Sequence, residues 1–196
     1  IALAAGYTIR AFISAKCETS EIMGIRVHEQ LPPDLGTTSD SIAVAIGANY
    51  IRENACQELE QRLPLSRFPA LIHPSAVIAS NARIGPGTTI HQNSVVGVSS
   101  TIGRFCILNT SSSIDHDCVM RDFASLGPGA HTGGSVEIAE RAHISIGAVV
   151  LHNCSVGADA ILGAGSCALE SIPDLAVSVG IPARVVKKRR PNDPYL

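Results

Sequence analysis

The sequence predicts a mainly β protein, a β-helical prism preceded by a small α/β unit, and three observations carry that prediction. Residues 73–168 divide without a break into sixteen hexads whose last place is Ile, Val, Leu or Met in all but two, Thr132 and Ala168. The fourth place is small from Ala76 to Ser166, with Val136 the bulkiest. Before Arg67 the hexads are absent, and apolar runs flank one amphipathic stretch.

A six-residue period suits neither an amphipathic helix nor strand alternation, so each hexad is read as one short flat side and a turn. With three hexads per coil, last-place aliphatics fill the axis and small fourth-place residues fit where the wall crowds. Residues eighteen apart then stack about 4.8 Å from one another. Sixteen hexads make slightly more than five coils.

In chain order, IALAAG (1–6) reads as the apolar end of a helix closed by Gly6, and YTIRAFI (7–13) as a strand. Residues 14–40 read as a loop around Pro32, Pro33 and Gly36, with one short strand at IRVHE. SIAVAIG (41–47) has the apolar density of a buried parallel strand, and NYIRENACQELEQRL (49–63) is a helix started by Asn49. Strands alternating with helices make a small α/β unit over 1–70. Such a unit is Rossmann-like and truncated at its start, with a first strand and a glycine-rich turn expected before Ile1. PALIHPSA leads into the prism at 71–172. The remainder, 173–196, reads as a turn, an extended segment and a basic tail.

Aromatic content of 4% and the absence of Trp fit a core of repeated aliphatic layers. A net charge of -2 argues against nucleic acid as the main partner. No CxxC pair occurs among the six cysteines, and Cys106, Cys118 and Cys154 take the small inward place. No run has the length of a membrane span, and IALAAG is too short for a signal peptide, which places the protein in the cytoplasm.

The densest polar cluster in the prism is NTSSSIDHDC (109–118), more polar than a wall needs. His116 lies between Asp115 and Asp117, and a carboxylate on one imidazole nitrogen fixes the tautomer and raises the basicity of the other. Gly134, eighteen residues on, brings a bare backbone amide beside that base, the donor that the oxyanion of acyl transfer needs. His73 and His91 stack at one corner, and His152 shares the column of His116; turn placement accounts for all three. Arg184, Lys187, Lys188, Arg189 and Arg190 are a basic cluster suited to phosphates.

The hexads resemble those of the hexapeptide acyltransferases. AIGANYIR (45–52), LIHPSAVI (71–78), NTSSSIDHDCVMRDF (109–123) and VGIPARVV (179–186) narrow this to the bacterial sugar acetyltransferases, which acetylate sialic acids or nucleotide-linked 4-amino sugars. The resemblance implies a left-handed coil, a homotrimer and acetyl-coenzyme A as acetyl donor, with no metal. It makes His116 the catalytic base, Asp117 its orienter and the Gly134 amide the oxyanion donor. Coenzyme contacts fall on Gly134, Ile146, Ala164 and Arg184, and the acceptor side on Gly47, Asn49 and Asn109. Relatives usually carry an acidic pair after FI, where this chain has Ser14 and Ala15.

The reading is N-acetylation of a nucleotide-linked amino sugar, with O-acetylation of a sialic acid-like sugar as the alternative. A carbonic anhydrase on the same prism needs three converging histidines, and its usual pair five residues apart does not occur here. A silent scaffold would lack the base. Because three cysteines fill crowded inward places, denaturing thiol titration without reductant should return all six; fewer would count against the cytoplasmic reading.

Overall fold

In the computed structural model, which describes residues 1–14, 16–32, 40–190 and 193, a three-faced β-solenoid carries one α-helix on its flank. Seventeen two-residue strands run from β4 (Leu71–Ile72) to β20 (Cys167–Ala168). The first face stacks Leu71, Thr89, Ile107, Ser125, His143 and Ile161 in parallel register. The second stacks Val77, Val95, Ser113, His131, Val149 and Cys167. A third runs from Arg83 through Thr101, Val119 and Glu137 to Ser155. Every step is eighteen residues, as the hexads require.

Last-place Ile90, Ile102, Leu108, Ile114, Leu126 and Ile144 are buried along the axis, joined by fourth-place Cys106, Cys118 and Ala124. The fourth place also satisfies the corners. Thr88, Ser94 and Ser100 hydroxyls donate to the carbonyls of Gly103, Asn109 and Asp115, while the Cys106 and Cys118 amides donate back to Thr88 and Ser100. A small residue with a donor fits the crowding and supplies the bond that a turn carbonyl needs. All six cysteines are free, and burial pushes the thiols of Cys56 and Cys106 up to about 12.

The N-terminal reading needs correction in several places. Residues 1–6 form one helical turn, not a regular helix. The Tyr7 and Gly6 amides donate to Ala2 and Leu3, with Gly6 at φ +84, which is a Schellman closure. Of YTIRAFI only β1 (Phe12–Ile13) is strand, parallel to β3 (Ile25–His28). A turn through Met23 and Gly24, both at positive φ, pairs β3 with β2 (Glu21–Ile22) antiparallel, a hairpin that the sequence reading missed. Pro33, Gly36 and Ala15 lie outside the described residues.

SIAVAIG is not a strand. Its alternation points Ile42, Val44 and Ile46 into a cluster with Cys56, Phe68, Phe105 and Phe123, so the period signals one buried side without a ladder. The helix, α1 (Asn49–Glu60), is not capped by Asn49, since Ala48 is the N-cap residue and makes no side-chain bond. Its docking rests on Arg52, which is 1% exposed. The guanidinium donates to the carbonyls of Phe105, Phe123, Ile46 and Gly47 and to Asn49 Oδ1, at 2.7–2.9 Å. Phe105 and Phe123, one coil apart, stack at 5.5 Å, and Phe68 meets Phe105 edge-on at 5.3 Å. Arg104 and Arg141 add ion pairs to Glu60 and Glu53.

The C-terminal segment is also more regular than expected. β21 (Ala176–Gly180) extends the first face and returns through a cis Ile181–Pro182 bond as β22 (Ala183–Lys188). No helix among the described residues is long and apolar enough to cross a membrane.

Replacing Arg52 by Met removes the donor to two buried corner carbonyls, and chemical denaturation should show a loss of about 2–5 kcal/mol. His143 supplies a pH dependence. Burial, with the charges of Arg52 and Arg189, pushes its pKa from 6.5 down to about 4. Between those values the unfolded chain binds a proton that the folded chain does not, so stability present above the upper value is lost as pH falls through the window. His143→Gln should therefore lose less melting temperature than the parent on going from about pH 7 to about pH 5.

Candidate active site

Only the corners of the prism project side chains freely, because strand residues point into the axis or onto a flat face. Residues 115–118 turn from the second face to the third, and from Gly87 to Gly165 each turn of the prism carries its third residue at positive φ. Here that residue is Asp117, at φ +57, a conformation that a short polar side chain tolerates. Its Oδ2 lies 2.8 Å from His116 Nδ1. Nδ1 thus carries the proton it donates to Asp117, and Nε2 is an acceptor with no partner among the described residues. Asp115 turns its Oδ1 back to accept the His116 amide at 2.8 Å.

The Asp117 hydrogen bond, with the charges of Asp115 and Asp117, holds the His116 pKa above its ordinary value of 6.5. Both partners are solvent-accessible, at 54% and 59% for the side chains. A ligand can therefore reach the ring. Ser100 buttresses the turn from inside, its hydroxyl donating to the Asp115 carbonyl at 2.6 Å and accepting the Cys118 amide at 3.0 Å. The sequence reading did not single out Ser100, although a hydroxyl at a fourth place was its signal.

Gly134 lies one coil above. A Cβ there would come within 2.4 Å of His116 Cε1 and Nε2, so the imidazole occupies the space of the missing side chain. Its carbonyl accepts the Asn153 amide at 3.0 Å, while its own amide has no partner among the described residues. Gly133 is required from the other side, since a Cβ would meet the His152 amide nitrogen at 2.8 Å. The result is a base, an orienting carboxylate and a bare backbone donor at one corner. Such a corner can take a proton from a nucleophile and hold an oxyanion.

Other predicted residues lie elsewhere. Ile146 and Ala164 are exposed and stacked, with the Gly165 amide on the Ile146 carbonyl at 2.9 Å, at the corner between the first and second faces. Arg184 is exposed on β22. Asn109 is half-buried and its Oδ1 accepts the Thr110 amide. Gly47 is exposed but gives its carbonyl to Arg52.

Two predicted residues are withdrawn from ligand contact. Asn49 is 1% exposed; its Nδ2 donates to the Arg141 and Ala142 carbonyls and its Oδ1 takes Arg52, so it joins the helix to the solenoid. Arg189, read as part of the basic cluster suited to phosphates, is buried, with Nη1 on the Asp159 carbonyl at 2.8 Å. No three His, Cys, Asp or Glu side chains among the described residues are grouped to hold a metal ion.

The whole fold has close counterparts. GDP-perosamine N-acetyltransferase from Caulobacter crescentus, solved with CoA and GDP-perosamine in a form with one histidine changed to alanine, matches with TM-score 0.84 and 28% identity over 95% of this chain and 89% of that one. The acetyltransferase domain of PglB from Neisseria gonorrhoeae, in complex with acetyl coenzyme A, matches with TM-score 0.85 and 30% identity over 94% and 90%. A curated serine acetyltransferase from Buchnera aphidicola is 39% identical over 64 residues, 32% of this chain, so the chain spans about a quarter (24%) of that relative's length. No family model matches.

Gly134→Ala tests the packing of the ring on the glycine. Because its Cβ would meet the movable end of a side chain, stability should change by less than about 1 kcal/mol. The His116 ring should be displaced, with its NMR titration midpoint falling toward the ordinary value as the Asp117 bond loosens. An unmoved ring would show that the glycine is not required there.

Proposed function

Because the chain belongs to the hexapeptide-repeat sugar acetyltransferases, we propose that it transfers the acetyl group of acetyl-coenzyme A to the amino group of a nucleotide-linked amino sugar. One observation carries the reading to particular residues: His116, oriented by Asp117, packs on the bare backbone of Gly134 with its Nε2 free.

The neutral amine of the sugar attacks the thioester carbon while Nε2 of His116 takes the amine proton. Asp117 stabilises the imidazolium that forms, and the Gly134 amide holds the carbonyl oxygen as it becomes anionic. Collapse re-forms the carbonyl, breaks the carbon–sulfur bond and expels the coenzyme thiolate, which takes the proton from the imidazolium. The products are the acetamido sugar and free coenzyme A.

In this reading the coil is left-handed and the protein is a cytoplasmic homotrimer. The coenzyme arm lies along Ile146 and Ala164 toward Arg184, and those residues are a full face away from His116 within one chain. A neighbouring prism closes the cleft, set against the exposed Val77, Val95 and Val149 of the second face. Residues 1–70 serve as a Rossmann-like acceptor unit, 71–172 as the transferase prism and 173–196 as the coenzyme-side extension. Gly47 and Asn109 remain the acceptor-side residues; Asn49 does not.

His116→Ala should lower turnover about 100-fold with little change in acetyl-coenzyme A affinity; near-normal turnover would move the base elsewhere. The raised pKa of His116 predicts an acid limb in kcat/KM above the ordinary histidine value. Asp117→Asn removes the first cause of that rise, so its limb should shift to lower pH while its plateau falls. Sedimentation should give a trimer, and a fully active monomer would overturn the cleft.

A further inference from the structure

Thr132 is an anomaly twice over: it breaks the aliphatic last-place rule, and at 6% exposure it puts a hydroxyl inside the prism. The ladder is also anomalous beside it. At each other first turn position from His73 to Leu151, the amide donates to the carbonyl seventeen residues on. Gly97 to Ile114 and Gly133 to Val150, at 2.8 and 2.9 Å, are the rungs one coil below and one coil above. The Asp115 amide alone departs from this, donating to Thr132 Oγ1 at 3.2 Å, and the register here narrows to Ser113 with His131. The same oxygen lies 3.8 Å from Cys118 Sγ, which also reaches the Gly133 carbonyl at 3.3 Å.

This substitution of a side chain for a rung falls between the two halves of the site. On one side it holds the turn that carries His116; on the other, Thr132 runs directly into Gly133 and Gly134. An aliphatic residue would have no acceptor for that turn except its own carbonyl, which would draw Asp115 into the regular rung.

We propose that Thr132 is a positioning residue whose hydroxyl, by replacing one backbone rung, sets the height of His116 relative to the Gly134 amide. The inference rests on the acetyltransferase reading for its kinetic consequence, and on the ladder alone for its structural one. A misplacement well under 1 Å between base and oxyanion donor is costly to a reaction that needs both at once.

Thr132→Val keeps the shape and restores the aliphatic rule, so it should fold at least as stably as the parent. It should lower kcat about 10-fold with a much smaller change in the KM for acetyl-coenzyme A, since of the proposed coenzyme contacts only Gly134 lies at this corner. It should also shift the His116 titration midpoint and the Gly134 amide resonance in NMR spectra. Thr132→Ser, which retains the hydroxyl, should restore all three. A valine variant with parental kcat and an unmoved His116 titration would overturn the proposal, as would a serine variant as impaired as valine. If the parent transfers no acetyl group, the functional reading fails, while the two NMR signals still decide the role of Thr132.

Discussion

The solenoid and the candidate site on it depend on the parallel backbone ladder that returns to register after eighteen residues. Once the register holds, each corner residue sits on the residue one coil below, and a local choice at one position becomes a contact with another far along the chain. The ladder satisfies the strand amides but leaves corner carbonyls facing the crowded inner angle. Thr88, Ser94, Ser100, Cys106 and Cys118 answer that need with small side chains that also donate. Solenoid stability is therefore built from near-neighbour terms, each coil on the next.

The same stacking assigns the three corners to different tasks. One is covered by the helix, because Phe105 and Phe123 present a stacked pair of rings and Arg52 caps the carbonyls behind them. A second presents His116 beneath a glycine. The third leaves Ile146 exposed above a backbone spine. A buried guanidinium is stabilising only when its donors are matched, and here the turns offer carbonyls that no strand can use. That is why the helix sits where it does.

At the His116 corner, a hydrogen-bonded histidine–carboxylate pair is set on an uncharged backbone donor. Asp117 reaches its histidine because the turn places it in the left-handed region. Gly134 gives the ring its space because it has no side chain. Neither feature involves a long-range charge network; the corner geometry that closes each coil produces both.

The sequence by itself determined the solenoid, its eighteen-residue stacking, the inward cysteines and the meeting of His116 with Gly134, because a strict period converts spacing along the chain directly into distance. The hairpin at residues 21–28, the bare extended segment at 41–47 and the bonding of Asn49 were decided by tertiary structure. An asparagine before a helix reads as a cap, yet two corner carbonyls and Arg52 compete for its amide and win. Arg189 looked like one more tail cation until the folded hairpin brought it against the Asp159 carbonyl. Phe105 and Phe123 lie eighteen residues apart, so the period alone stacks one on the other, but it is silent about what lies on them.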